Sequence, residues 1–481
     1  MFVGRKRELK QFGKILAQKN AHLVVIKGRR RIGKSRLVEE AGKHHRMITL
    51  SGLAPVPGVT AAAQRQSFAR QMGLQLGIPE PRSEHWEELF WHLADRTQTG
   101  RVLILLDEIS WMASDGPDRS DPLFLGFLKN AWDIYFKKNN QLTLVLCGSV
   151  SSWIEKNILS STGFVGRISL KMHLKELSLI ECNAFLSTNS YKISAFEKFK
   201  LLAIMGGIPS YLEKISPAWS AEENIKQLCF IQDGILVHEF KQIFTDIFGR
   251  RSDFYKSIIK SLLEKPSMQL VDIYSALKME KQGVISAYLE DLEQAGFVKR
   301  DYAFNFKTNK LSKHSVFRVC DNFIRFYLKY IEPNIDLIEQ DRFENTSLST
   351  LKNWESIAGL QFENLILNNK ALILQQLNIS SNDVLYDNPH YQSATTQKQG
   401  VQVDYLIIDK FNTVWLCEVK FSKNPIGQSV IAEIQRKIKH LTIGKKYSIR
   451  PVLIHVNGVT DELVSEGFFA SIIDFGDLMN V

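Results

Sequence analysis

The chain has 481 residues, with 44% hydrophobic and 23% charged residues, a composition that excludes collagen-like, low-complexity and disordered classes. Its length exceeds what a single hydrophobic core serves, so two to four domains are expected. Lys and Arg number 61 against 51 Asp and Glu, a formal charge of +10 that favours an anionic partner.

The five cysteines are odd in number and dispersed without CxxC spacing, which reads as reduced thiols in a cytoplasmic protein. The start MFVGRKRELK has no signal-peptide core and no apolar run approaches a membrane-spanning length, so no membrane partner is expected.

In chain order, VGRKREL (3–9) predicts a short loop and helix, and HLVVIK (22–27) a buried strand. GRRRIGKS (28–35) then completes GxxxxGK[ST], and SRLVEEA is competent to continue as a helix. A strand, a glycine-rich turn and a helix bring backbone N–H groups onto an anion at a helix N-terminus. Gly28 and Gly33 allow backbone angles that a Cβ would block. Lys34 is placed to reach the β- and γ-phosphates, and Ser35 can offer its hydroxyl to Mg²⁺. Arg29, Arg30, Arg31, Ile32 and Arg36 complete the expected nucleotide contacts of the loop.

VLILLDE (102–108) is a buried strand ending in two acids, Asp107 for the Mg²⁺ shell and Glu108 to polarise an attacking water. LTLVLCGS (142–149) predicts a further central strand. Ser149 at its end either senses the γ-phosphate or is a turn or helix cap. Arg167 is an arginine finger, in cis or from a neighbouring subunit, or else a surface ion-pair partner. From 175 to 249 the pattern turns helical, a lid on the nucleotide site broken by GGIP (206–209), where Pro209 makes a sharp turn or meets the base or ribose.

VGRKREL, GRRRIGKS, LLDEIS, CGS, Gly166-Arg167 and GGIP, in that order, resemble the archaeal-type DExx-box ATPases of the AAA+/STAND group. The resemblance covers about the first half of the chain. It implies an ATP-binding, ATP-hydrolysing switch in which Pro209 touches the nucleotide and the loop Val3, Gly4, Arg5 lies on the adenine side.

Residues 250–332 read as a winged helix-turn-helix: SDFYKSIIKSLLEKP, VDIYSALKM and KQGVISAYLEDLEQAG as helices, then FVKRDYAFNF and HSVFRV as strands around a turn with Lys307, Lys310 and Lys313. Lys281, Gln282 and Ser286 would face a DNA major groove, or the module only packs against its neighbours. The aromatic run Asp321–Pro333 reads as a helix packing the wing onto the next domain, and 333–350 as a linker.

In the last domain, QVDYLIID (402–409) and TVWLCEVKF (413–421) are strands around a short turn. Asp404 and Glu418 each lie seven positions from Phe411, so a symmetric hairpin places them opposite one another. Lys420, two positions beyond Glu418, shares its face. Two carboxylates can hold Mg²⁺ and a lysine can position water for phosphodiester hydrolysis. The D…ExK spacing resembles the PD-(D/E)XK nuclease fold, with Val403 where that pattern carries proline. The resemblance implies Glu363, in AGLQFENLIL, as a supporting metal-site acid and Gln435 as a polar residue from a downstream helix.

The expected architecture is multidomain α/β: a P-loop NTPase parallel sheet (1–174), a helical lid (175–249), the winged helix (250–332), the linker, and a restriction-endonuclease-like α/β domain (351–481). The expected partners are ATP, Mg²⁺, DNA and a second copy of the chain. Two functions compete: nucleotide-controlled, Mg²⁺-dependent DNA cleavage, and a regulatory or scaffold switch whose last domain binds nucleic acid or protein without cutting.

Overall fold

The computed structural model describes residues 2–480 apart from 117–119, 188–191, 281–282, 393, 395 and 397–398. Lys281 and Gln282, expected to face a major groove, lie outside the described residues. The chain forms two compact units. One comprises 1–176, 241–256 and 287–296, the other 177–240, 257–286 and 297–481.

The first unit is built on a five-stranded parallel sheet of β1 (His22–Lys27), β2 (Arg46–Ser51), β3 (Val102–Asp107), β4 (Leu142–Gly148) and β5 (Ile168–His173), ordered β2-β3-β4-β1-β5. β1 and β4 are buried along their whole length and β3 up to Asp107, while the edge strands β2 and β5 alternate between covered and open positions. Uninterrupted apolar runs are what a strand covered on both faces requires. Over one face, Phe68, Trp86, Phe90 and Phe124 form a buried aromatic cluster with edge-on and stacked contacts. The chain leaves β1 towards β3 and β2 on one side and returns to β5 on the other, so β1 borders the crevice where open α/β sheets bind ligands.

The second unit holds two sheets. β6 (Met268–Gln269), β7 (Val298–Asn305) and β8 (Lys310–Val319) form an antiparallel sheet ordered β6-β8-β7. β9 (Val384–Gln392), β10 (Val401–Asp409), β11 (Thr413–Lys420), β12 (Ser448–His455) and β13 (Ser471–Asp474) form a mixed sheet ordered β13-β12-β11-β10-β9. Its first three strands are an antiparallel meander and its last two join in parallel.

The hairpin of β7 and β8, expected to be a wing, does not project. Phe304 of β7 is buried in the same core as Tyr386, Leu406 and Leu416 of the mixed sheet, and Tyr386 donates its hydroxyl to the Tyr302 carbonyl at 3.1 Å. Nor is 333–350 an open tether: it contains the helix Ile335–Glu339 and buries Ile338, Phe343 and Leu348. The helix Val284–Gln294 buries Ile285, Leu289 and Leu292 and exposes Ser286.

Candidate functional site

At the carboxyl end of β1 the chain turns into the loop 28–33 and then the helix Lys34–Ala41. Gly28 has φ +156 and a Cβ there would sit 2.5 Å from the Leu174 carbonyl oxygen, so glycine is required by close approach. Gly33 adopts φ 85 at the helix start. Ile32 is fully buried and anchors the loop. Lys34 is buried, its ammonium donating to the Gly28 and Arg29 carbonyls at 3.0 and 3.1 Å. Ser35 donates its hydroxyl to Asp107 Oδ2 at 2.6 Å, joining the loop to the acid end of β3. The two oxygens fit the protein's share of a Mg²⁺ shell, which keeps waters and takes phosphate oxygens for the rest. They would hold that ion beside the phosphates, where it would neutralise developing charge.

Glu108 follows in a left-handed conformation, φ 49. One of its oxygens accepts from the Ser149 backbone N–H at 3.0 Å and hydroxyl at 2.8 Å. Ser149 therefore grips the candidate water-polarising acid and caps no helix; the short helix that follows starts from Val150.

The other loop residues separate by role. Arg5, buried and left-handed at φ 57, donates to the Ile32 carbonyl at 3.0 Å, which fixes the Val3-Gly4-Arg5 turn against the phosphate loop. Arg29 is buried 3.5 Å from Glu176, Arg30 pairs with Asp246, and Arg36 pairs with Glu39 at 3.0 Å on the outside of its helix. Arg31 takes φ 65 at the bend of the loop. Pro209 belongs to the second unit, at the first position of the helix Pro209–Leu212.

Arg167 is held by Asp133, Nη2 at 2.8 Å and Nε at 3.0 Å, and this doubly bonded carboxyl is held below its ordinary range chiefly by those hydrogen bonds. β5 starts at Ile168 beside Leu23 and ends at His173 beside Lys27, the residue before the phosphate loop. Arg167 therefore sits at the sheet edge opposite its own phosphate loop, a strand length of roughly 17 Å away. Contrary to the expectation of a finger acting in cis, Arg167 does not face the phosphate loop of its own chain.

In the mixed sheet, Tyr405 pairs with Cys417 and Leu406 with Leu416, so the next pair in register is Asp404 with Glu418. Both carboxylates are buried, Glu418 to 1% exposure. Asp404 accepts from the Val419 N–H at 3.0 Å. Its carboxyl is pushed well above the usual range by burial first, then by the charges of Glu363 and Glu418. Glu363, on the helix Trp354–Asn368, is pushed up to about 7 by burial, opposed by Arg325 and Arg318. Lys420 reaches Glu418 at 3.0 Å and Glu433 at 3.0 Å.

Lys437, not among the residues expected from the sequence, also belongs to this cluster. On the helix Ser429–His440, its ammonium lies 2.7 and 2.6 Å from the two oxygens of Glu418 and 3.6 Å from Glu433. Gln435, the expected contributor, is exposed. The signal was present: Val430 and Ile434 are buried, and Lys437 continues their helical stripe at i+7 while Gln435 falls off it.

Within this second cluster Glu418 is therefore engaged by two cations of the protein itself, Lys420 and Lys437, and Asp404 by a backbone N–H. Both Glu418 oxygens are taken, and among the described residues no group of three or more His, Cys, Asp or Glu is arranged to hold a metal ion. As arranged, Glu363, Asp404 and Glu418 do not fit a divalent cation.

Residues 17–152 match the family described as AAA domain. An uncharacterized protein of Methanocaldococcus jannaschii is 26% identical over 369 residues, 76% of each chain. A Walker-type ATPase of Pyrococcus abyssi is similar over 68% of this chain and 96% of its own, with 17% identity and a TM-score of 0.49. The ORC2 protein of Aeropyrum pernix is similar over 70% of this chain and 94% of its own, with 16% identity and a TM-score of 0.38. With its parallel sheet, phosphate loop and Ser35–Asp107 bond, the first unit is a P-loop ATPase domain of AAA type. Among the described residues no helix is long and apolar enough to cross a membrane.

Proposed function

We propose that the chain is an ATP-hydrolysing switch that acts on DNA, its nucleotide state read by the modules that follow the ATPase sheet. The observation that carries it is the closed pair of contacts at the ends of β3 and β4: Ser35 on Asp107 at 2.6 Å and Ser149 on Glu108 at 2.8 Å. The first pair supplies the metal ligands beside the phosphates. The second holds the water-polarising acid on a residue that sits where the γ-phosphate is sensed, so release of Glu108 by Ser149 is a natural gate on hydrolysis. In this reading Mg·ATP is the cofactor, Pro209 and the Val3–Arg5 turn contact the nucleotide, and Arg167 serves a neighbouring copy. Steady-state ATPase measurement on Glu108→Gln and Ser149→Ala tests it: Glu108→Gln binds ATP without turnover, and Ser149→Ala changes turnover while leaving affinity in place. Unchanged turnover in Glu108→Gln overturns the assignment.

A second reading, that the last domain cuts DNA, is favoured by one observation: Asp404 faces Glu418 across β10 and β11 with Lys420 on the same side. The ion pairs around Glu418 support binding without cutting in the arrangement described above. Plasmid cleavage in Mg²⁺ or Mn²⁺, with and without ATP, beside a Glu418→Ala control, separates the two. Cutting that the control loses supports a nuclease; intact ATPase activity with no cutting leaves the switch.

A further inference from the structure

Two stretches, 302–319 and 434–450, contain no Asp or Glu. They are far apart in sequence and meet in the fold. Asn309, at the turn of the wing, accepts from the Tyr447 hydroxyl at 2.6 Å and from the Lys446 ammonium at 3.4 Å. The Phe306 and Tyr447 rings lie 5.4 Å apart beneath that contact. The junction leaves Lys307, Lys310, Lys313, Lys445 and Lys446 exposed around it, and none of them is in an ion pair among the described residues.

We propose that the wing turn and the 445–447 loop form one composite surface that binds the phosphodiester backbone of duplex DNA. The inference rests on the proposal that DNA is the partner and states where the duplex sits. Lysines carry compact charges on flexible stems and suit phosphate contacts that position without reading sequence. The surface differs from a free wing in that two of its five lysines come from a loop of the mixed sheet, and Asn309 sets the two parts at a fixed spacing. A membrane surface is the poorer partner: anchoring there calls for an amphipathic helix with an apolar face, whereas this surface is a hairpin turn and a loop with Leu311 as its exposed large apolar residue.

The test is fluorescence anisotropy of the full chain with a labelled short DNA duplex across a salt series. Lys307→Gln with Lys310→Gln, and separately Lys445→Gln with Lys446→Gln, should each weaken binding and reduce the slope of log K against log salt by about 1.8, the value for two lost phosphate contacts. All four changes together should reduce it by about 3.6, with ATP binding and the melting midpoint unchanged. Three results overturn the proposal: no duplex binding by the unaltered chain, which also removes DNA as the partner; binding that only the wing pair alters; or lysine-dependent binding to phosphatidylserine vesicles in place of the duplex.

Discussion

Lys437 places its ammonium within 2.7 Å of both carboxylate oxygens of Glu418, a residue that is 1% exposed. Breaking such a buried pair from one side strands a charge, and costs about 3–5 kcal/mol. Lys437→Met should therefore lower the chemical-denaturation midpoint of the second unit sharply. Adding Glu418→Gln should restore most of the loss, because the charge then leaves with its partner. A Lys437→Met protein as stable as the parent would show that the pair contributes nothing.

Lys34 donates to two carbonyls of its own loop, and Ser35 is tied to Asp107. Lys34→Ala should reduce ATP turnover on the order of 10²-fold or more, the scale on which a preorganised charge-stabilising group acts. Far-ultraviolet circular dichroism should show the fold kept. Asp107→Asn should retain nucleotide affinity in the absence of Mg²⁺ and lose its enhancement by Mg²⁺, measured by titration with a fluorescent nucleotide.

Arg167 lies at the sheet edge away from its own phosphate loop and is clamped to Asp133. If it completes a neighbour's site, Arg167→Ala and Lys34→Ala proteins should each be inactive, and their mixture should regain ATPase activity as mixed assemblies form. A mixture as inactive as its components would exclude action in trans.

Burial pushes Glu363 up to about 7 from its ordinary 4.5, so the folded protein binds its proton more tightly than the unfolded chain does. The sign follows: the contribution is fully present below about pH 4.5 and is lost as pH rises through about 7. Glu363→Gln cannot ionise, and the gap between its melting midpoint and the parent's should shift in favour of the variant between pH 5 and pH 8. A gap that does not vary over that range would place Glu363 in an ordinary, solvated setting.

Much of this was legible in the chain. Central strands of uninterrupted apolar residues identified β1, β3 and β4, because a strand covered on both faces admits little else. Two-residue periodicity and the spacing about Phe411 gave the opposition of Asp404 and Glu418. Lys437 was overlooked because a lysine on an amphipathic helix reads as solvated, although its place on the stripe of Val430 and Ile434 gave it away. The sheet edge occupied by Arg167 depends on the strand order β4-β1-β5, which no local pattern encodes. The docking of Phe304 beside Tyr386 is likewise a contact between distant segments.

The seam between the hairpin and the last domain is also stitched from beneath. Arg318 bonds Asp301 at 2.7 Å and Asn364 at 2.6 Å, Asn364 reaches Asn322 at 3.0 Å, and Asn322 and Gln361 exchange side-chain-to-carbonyl bonds at 3.1 and 2.7 Å. All of these ties except Arg318–Asp301 cross from before residue 323 to after residue 360. A fragment beginning at 351 would leave the Asn364 and Gln361 ends of that network without partners, and would bare the apolar floor on which Phe304 rests. The hairpin and the mixed-sheet domain should therefore melt as one cooperative block, and limited proteolysis should fail to release either as a soluble piece.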